Sequence, residues 1–304
     1  MNKYEIDEIL NLAIMSKTPY IIVEGVDDIH IYEAIAKSAN TICEIYAVDM
    51  IEGLAGGNDG VIEAMQIVEA LNLPAGKLVE QFMMGIIDRD ARFYRNEIPN
   101  SPSIFSLSYY SIESHFVSKF TIKPTIDQLT RISVLDEIDI DSIYIEIGRR
   151  LFDAYYFSLD ALKNAVDPTY QSIIGYSSNI GRRKDANTVS KLQARKHDLD
   201  IFAVVHNISS SVESMRKFVK GKWLLTAFVE EMFVEIEGLV KKCKGSAIKQ
   251  CRMCELDNAA PCLYQLRGGV TKNSTYSTIQ DFVHIPDFDY LREALKAVEA
   301  TAKA

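Results

Sequence analysis

Carboxylates gather at the ends of apolar runs in the first third of the chain. Glu24-Gly25 closes the run Tyr20-Ile21-Ile22-Val23, Asp28 stands four residues after Glu24, and Asp88-Arg89-Asp90 closes a later run, Phe82 to Ile87. A buried strand that gives out in an acid places that acid at one edge of a sheet. Acids gathered there repel one another and raise each other's pKa unless a cation neutralises them. Oxygen-only ligands suit Mg2+ or Mn2+, so Glu24, Asp28, Asp88 and Asp90 are candidate ligands of a hard-metal site. Two such ions about 4 Å apart activate a water and stabilise a leaving oxygen, so phosphodiester cleavage at such an edge requires no Ser, Cys or Tyr nucleophile.

A second set of ligand types lies far along the chain. Four of the five cysteines, Cys243, Cys251, Cys254 and Cys262, are spaced C-x7-C-x2-C-x7-C. The central C-x2-C chelates one ion naturally, with a further thiol at equal distance on either side. In a cytosolic setting this spacing predicts a structural Zn2+ site rather than disulfides, with Asp257 to Pro261 as the knuckle between ligands. The competing expectation is a set of buried free thiols. Cys43, inside an apolar run, is expected in the core.

The acidic residues need a scaffold, and the N-terminal third supplies an alternation of strand and helix. Pro19–Val23 reads as a buried strand and Asp27–Lys37 as a helix with Ile29, Tyr32, Ile35 and Ala36 on one face. Ile42–Val48 is a second strand ending at Asp49. Gly53, Gly56, Gly57 and Gly60 form a turn into a helix with Val61, Met65, Val68 and Leu71 inward. Phe82–Ile87 is a third strand, Ser103–Leu107 a fourth, and Ser111-Ile112-Glu113 a helix start. The expected class is α/β, a parallel sheet with right-handed crossovers flanked by helices. Ligands of such sheets bind beyond the carboxyl ends of the strands, where Glu24, Asp49 and Asp88 fall. The glycine turn has neither GxGxxG spacing nor the Lys-Ser/Thr of a P-loop, so it is read as a flexible turn near the site. Asp27 is assigned to capping the helix and Asp28 to the metal.

Composition excludes some classes and leaves one asymmetry. The 304 residues, 48% hydrophobic and 25% charged, suit one large core or two unequal ones. No apolar run is long enough for a membrane span and no signal-type N-terminal region is evident, so a cytoplasmic protein without a membrane partner is expected. Net charge is −9, yet residues 1–120 carry 8 basic and 18 acidic side chains while residues 181–252 carry 15 and 8. An acidic metal-binding part joined to a basic part suits an enzyme acting on nucleic acid. Arg182, Arg183 and Lys184 are the candidate backbone contacts. The alternative is that the basic stretch consists of the solvated faces of helices.

Val23-Glu24-Gly25-Val26-Asp27-Asp28 followed by Ile86-Ile87-Asp88-Arg89-Asp90 resembles the TOPRIM domain shared by topoisomerases, bacterial primases and OLD-family nucleases. Ser111-Ile112-Glu113 and Lys220-Gly221-Lys222 resemble the further motifs of the OLD-type subgroup, so that the motifs together cover most of residues 18–225. The resemblance implies that Glu24, Asp28, Asp88 and Asp90 hold metals, that Glu113 completes a second metal site and that Lys222 approaches the scissile phosphate. Ser114 stands where the family has Asn, which alters the local hydrogen bonding. The implied organisation is a TOPRIM core over residues 1–120, a helical insertion returning with the Gly-Lys motif over 121–225, and a C-terminal zinc-stabilised helical region over 226–304.

Length and arrangement resemble the nuclease subunit of two-gene anti-phage systems of the PARIS type. That likeness implies an abortive-infection effector, held inactive by an ABC-type ATPase partner, that cleaves host tRNA once released and is a homodimer when active. Topoisomerase action is not expected, since no room remains for a tyrosine-bearing gate domain, and primase action is also disfavoured. The competing readings are a DNA nuclease or RNA-maturation nuclease of the same fold, and a non-catalytic metal-binding interaction module. His30, His197 and His206 are expected to be structural or exposed, and His115, close behind Glu113, to have a satisfied surface role, with contact to substrate as the alternative. Tyr155-Tyr156-Phe157 is read as helix packing and Trp223 as the anchor that positions Lys222.

Overall fold

A computed structural model describes residues 3–71, 73, 76–132, 138–256 and 261–304. The chain forms two compact units, Met1–Ser108 with Val283–Ala304, and Tyr109–Phe282.

The first unit is α/β. In chain order it contains α1 (Ile6–Ser16), β1 (Tyr20–Val23), α2 (Val26–Ser38), β2 (Glu44–Ala47), α3 (Asn58–Glu69), β3 (Met83–Ile87), α4 (Arg92–Arg95), β4 (Ile104–Ser106) and the C-terminal helix Asp289–Lys303. The four strands form one parallel sheet in the order β2-β1-β3-β4. Tyr20 pairs with both Glu44 and Met83, and Gly85 pairs with Ile104. The central strands β1 and β3 are buried at every position, which is why they read as unbroken apolar runs. All strands of this sheet end on the same side, so Glu24 and Asp88 leave β1 and β3 side by side.

Helices α1 and α3 pack Ile9, Leu10, Ala13, Val61, Ala64, Met65 and Val68 into one cluster with Ile22, Met83 and Ile87. Contact with α3 explains the glycine in β3: a Cβ on Gly85 would lie 2.6 Å from Met65 Cγ and 2.9 Å from Val61 Cγ1. Helix α2 buries Ile31, Tyr32, Ile35 and Ala36, whereas Ile29 is only half-buried. Leu71 falls beyond the end of α3 and is exposed, so it does not continue that helix's inward face. The N-cap of α2 is Gly25 and no side chain caps it. Asp27 therefore does not cap the helix; it lies exposed in the first turn, where its charge opposes the positive end of the helix dipole.

The second unit is helical among its described residues: α5 (Lys119–Leu129), α6 (Ile140–Arg150), α7 (Phe152–Val166), α8 (Ala186–Ala194), α9 (Lys196–Val205), α10 (Val212–Phe218), α11 (Gly221–Lys244), α12 (Arg252–Glu255) and α13 (Lys272–Gln280). Five of these helices start at a Ser, Asp or Thr whose side chain accepts a backbone N–H of the first turn: Ser118, Asp139, Asp185, Ser211 and Thr271. Helix α11 is the longest and buries Trp223, Leu224, Phe228, Met232, Ile236 and Leu239 at spacings near the helical repeat. It packs against α6, α7, α10, α13 and a 3-10 turn, Ile112–Phe116. Trp223 is a packing residue, edge-on to Phe157 at 5.1 Å. No helix among the described residues is long and apolar enough to cross a membrane.

Candidate metal centres

The acidic edge of the sheet is knitted together by backbone and amide contacts. Glu24 leaves β1 and its Oε1 accepts the backbone N–H of Asp88 at 3.0 Å, so the carboxylate of one strand end rests on the peptide of the next. Asn58, at the start of α3, holds the same loop twice over. Its Oδ1 accepts the Asp88 N–H at 2.8 Å, and its Nδ2 donates to Asp88 O at 3.3 Å and to Asp90 Oδ2 at 3.0 Å. Asp90 adopts a left-handed backbone (φ 33°) and its Oδ1 accepts the N–H of Arg92, the first residue of α4, at 2.5 Å, while Ala91 is the residue at the helix N-cap. Burial raises the Asp90 carboxyl above its ordinary value, against the opposing pull of the Arg92 and Asn58 donors.

Two further residues belong to this edge. The fully buried Tyr32 phenol on α2 is pushed well up by desolvation and then by the charges of Asp88, Asp28 and Glu24, so three of the candidate ligands act on one point. Asp49, just past β2, has a buried Oδ1 with no hydrogen-bond partner. The backbone of Glu24 accepts the Gly57 N–H at 3.1 Å, which ties the glycine turn to the same place. The donors are of the all-oxygen type that suits a hard divalent cation, and the orphaned Asp49 oxygen is a further group of that kind. Asp49 was expected at this edge as the acid that ends the second strand, whereas Asn58 and Tyr32 carried no ligand signal in the sequence; an Asn at a helix start after a glycine turn was the only cue.

Glu113 and Lys222 lie in the other unit. Glu113 is buried in the 3-10 turn and accepts the Ser111 hydroxyl, and its Oε1 stands 3.9 Å from Lys222 Nζ. The Lys222 side chain is 68% exposed, so its ammonium is open to solvent while its stem sits at the start of α11. Gly221 lets α11 start directly against this turn: a Cβ there would lie 1.9 Å from Ser111 Oγ and 3.0 Å from Glu113 Oε2. Ser114, in the place of the family's Asn, has a buried hydroxyl without a hydrogen-bond partner, while its carbonyl accepts Arg216 Nε at 3.0 Å. His115 is not a surface residue. It is fully buried, its Nδ1 within 3.2 Å of Ser111 O and 3.1 Å of Ile112 O, and its ring is edge-on to Tyr109.

The four cysteines converge. The Sγ atoms of Cys243, at the end of α11, of Cys251 and Cys254 around α12, and of Cys262 all lie within 4.8 Å of one another. Cys251 and Cys262 are 3.8 Å apart, about the edge of a tetrahedron whose corners lie ~2.3 Å from a central Zn2+ and far beyond the ~2.05 Å of a disulfide. Backbone N–H groups point at the sulfurs, Cys251 N–H to Cys243 Sγ at 3.2 Å and Leu263 N–H to Cys251 Sγ at 3.4 Å. Burial acts to raise the Cys251 thiol, but the backbone donors of Leu263 and Cys254 outweigh it and bring it down to about 7; burial pushes Cys254 up to about 11 and Cys262 higher still. The Cys251 thiolate thus forms most readily of these three, and a cation is what would let Cys254 and Cys262 follow. Among the described residues this is the one set of three or more His, Cys, Asp or Glu side chains whose ligand atoms converge this way. Of the expected knuckle, 257–261, residues 257–260 lie outside the described residues.

The basic triplet divides. Arg183 is 1% exposed and its guanidinium is enclosed by Glu230 at 2.8 Å, Asp153 at 3.3 Å and Glu231 at 3.9 Å. Lys184 bridges Glu230 and Glu231 at 3.2 and 3.1 Å, and Arg150 approaches Glu231 at 2.9 Å and also pairs with Glu235. Arg183 therefore belongs to an internal ion-pair network and has no surface from which to reach a phosphate. Arg182 is exposed and Lys184 half so. Comparison with protein-family models gives no match, and comparison with curated proteins gives none either.

Proposed function

We propose that the chain is a Mg2+- or Mn2+-dependent phosphodiesterase acting on nucleic acid, with Glu24, Asp28 and Asp88 as metal ligands and Asp90 and Asn58 setting their loop. The observation that carries this reading is the seating of the Glu24 carboxylate on the Asp88 amide, with Asn58 bridging Asp88 and Asp90, at the shared carboxyl end of β1 and β3. The chemistry such cations supply is activation of a water and stabilisation of the leaving oxygen. The chain's own part is to hold the carboxylates at fixed separations and to keep Asp90 turned inward. Glu113 and Lys222 join the reading through their motifs, with Lys222 offering an exposed ammonium to phosphate oxygens.

The finer proposals rest on the resemblance alone: RNA, tRNA first, as substrate; an anti-phage effector as the setting; an ABC-type ATPase as partner; a homodimer as the active form; and a cytoplasmic location. The cysteine set is proposed to hold structural Zn2+, for which the sulfur spacing and the backbone N–H donors are the support. Incubating the purified chain with total tRNA, ribosomal RNA and plasmid DNA, with and without Mg2+, tests the reading. Cleavage that requires Mg2+ and is lost in Glu24→Gln sustains it.

A second reading, a non-catalytic interaction module built round the cysteines, is favoured by one observation: those thiols converge more closely than any acidic group among the described residues. A chain that cleaves none of the three substrates and has no toxicity on its own belongs to that second reading.

A further inference from the structure

The seven residues Arg89–Arg95 carry three of the ten basic side chains of a unit that holds 21 acidic ones, and they include two aromatic rings. Two of the three cations are already neutralised, Arg92 by Asp59 at 2.5 Å and Arg95 by Glu97 at 2.7 Å. Arg89 differs. It pairs with no carboxylate among the described residues, its Nε is buried without a hydrogen-bond partner, and its guanidinium lies over the Phe93 ring, 3.1 Å from the centroid. Tyr94 stands edge-on to Phe93 at 5.3 Å and hydrogen-bonds Arg89. Phe93 is 44% exposed, so part of the ring that carries this cation remains open to a further planar group.

The platform is fixed to the acidic edge by covalent and hydrogen-bonded links. Arg89 lies between Asp88 and Asp90; the Phe93 N–H donates to Arg89 O at 3.3 Å, and the turn that carries Phe93 starts at the Asp90 carboxylate. Arginine planes and aromatic rings are the surfaces on which unpaired nucleobases stack, and every base offers a face to them.

We infer that Arg89, Phe93 and Tyr94 form a base-stacking subsite that takes an unpaired nucleobase of single-stranded or looped nucleic acid beside the acidic edge. This inference rests on the phosphodiester reading of that edge. It gives a physical basis for preferring looped RNA: a base already out of a helix reaches the platform without an unpairing cost, while a phosphate flanking that base passes the carboxylates. The role is positioning and selection of substrate.

The test uses the full chain in buffer without added divalent cation. The probes are a single-stranded oligonucleotide bearing one 2-aminopurine and a matched oligonucleotide with an abasic site in its place. Stacking is expected to quench the 2-aminopurine. Phe93→Ala is expected to weaken binding at least about fivefold, Phe93→Tyr to restore it, and neither change to alter affinity for the abasic probe. Arg89→Gln is the second variant, with the same selective loss expected.

Absence of quenching by the unaltered protein, or equal affinities in Phe93→Ala and Arg89→Gln, overturns the inference, as does an equal loss on the abasic probe. Cleavage with Mg2+ separates this from the parent reading. A protein that quenches selectively without cleaving keeps the platform and loses the nuclease, and one that cleaves with Phe93→Ala binding unchanged does the reverse.

Discussion

Replacing Gly221 with alanine tests the packing of the second unit by a single methyl group. The added Cβ would meet Ser111 Oγ at 1.9 Å, Glu113 Oε2 at 3.0 Å and Ser114 Oγ at 3.1 Å. Ser111 Oγ is buried and donates to Glu113, so it can yield only by rotating away and leaving that carboxylate short of a donor, or α11 must shift. Overpacking of this kind costs about 1–3 kcal/mol, and a hydrogen bond to a charged group is worth about 1.5–3 kcal/mol. Alanine returns less than ~1 kcal/mol in helix propensity, least at a helix start. A net loss of about 1–3 kcal/mol lowers the melting temperature of a unit of this size by roughly 3–10 °C. Calorimetry of the full chain measures it. Ser111→Ala removes the closest clashing atom, so the double variant Ser111→Ala/Gly221→Ala is expected to lose less than the sum of the two single changes, by about 1 kcal/mol. A Gly221→Ala protein that melts at or above the parent temperature, or strictly additive losses, would refute the close approach of α11 to the Ser111–Glu113 turn.

Glu24→Gln is expected to abolish Mg2+-dependent cleavage while moving the melting temperature little, because the amide oxygen still accepts the Asp88 N–H; activity in a cleavage assay would remove Glu24 from the metal ligands. Protein purified without chelators is expected to hold about one zinc per chain by elemental analysis, and Cys251→Ser with Cys254→Ser to lose it along with stability of the C-terminal part of the second unit. Arg183→Ala is expected to destabilise by about 3–5 kcal/mol by leaving Glu230, Glu231 and Asp153 short of a cation, whereas Arg182→Glu should leave the melt unchanged and weaken nucleic-acid binding with a shallower salt dependence. Lys222→Ala should lower turnover more than affinity; equal losses in both, or a loss in affinity alone, would make it one more backbone contact.

The sheet was legible because its strands are bounded runs of apolar residues. Tyr20–Val23, Glu44–Ala47, Met83–Ile87 and Ile104–Ser106 fall within two residues of the expected limits. Parallel pairing followed from the helices between them. The cysteine set was legible for a similar reason: a C-x2-C with flanking thiols encodes proximity locally, so convergence to within 4.8 Å needed no knowledge of the fold. What escaped was long-range. Nothing in Arg182-Arg183-Lys184 tells the middle residue from its neighbours until Asp153, Glu230 and Glu231, which lie 30 to 48 residues away in the chain, are brought around it. Likewise, the return of residues 283–304 to the first unit leaves no mark in their composition.

That difference bears on how charge balance is to be read. A segment count of 15 basic against 8 acidic side chains treats each charge as a surface charge. In residues 181–252 several of the 15 cations are engaged internally: Arg183 and Lys184 face Glu230 and Glu231, Arg183 also meets Asp153 from outside the segment, and Arg216 is buried, donating to Ser114 O and His115 O while stacking 3.8 Å above Tyr109. Those cations hold the helical unit together and contribute little external field, because a buried pair is nearly neutral at a distance. Arg89 makes the opposite case in the acidic unit, a single arginine that composition hides among 21 carboxylates yet that lacks a carboxylate partner among the described residues. The charges that matter for a phosphate ligand are those the fold leaves exposed and without a close carboxylate, and within the basic triplet Arg182 meets that description among the described residues while Arg183 and Lys184 do not.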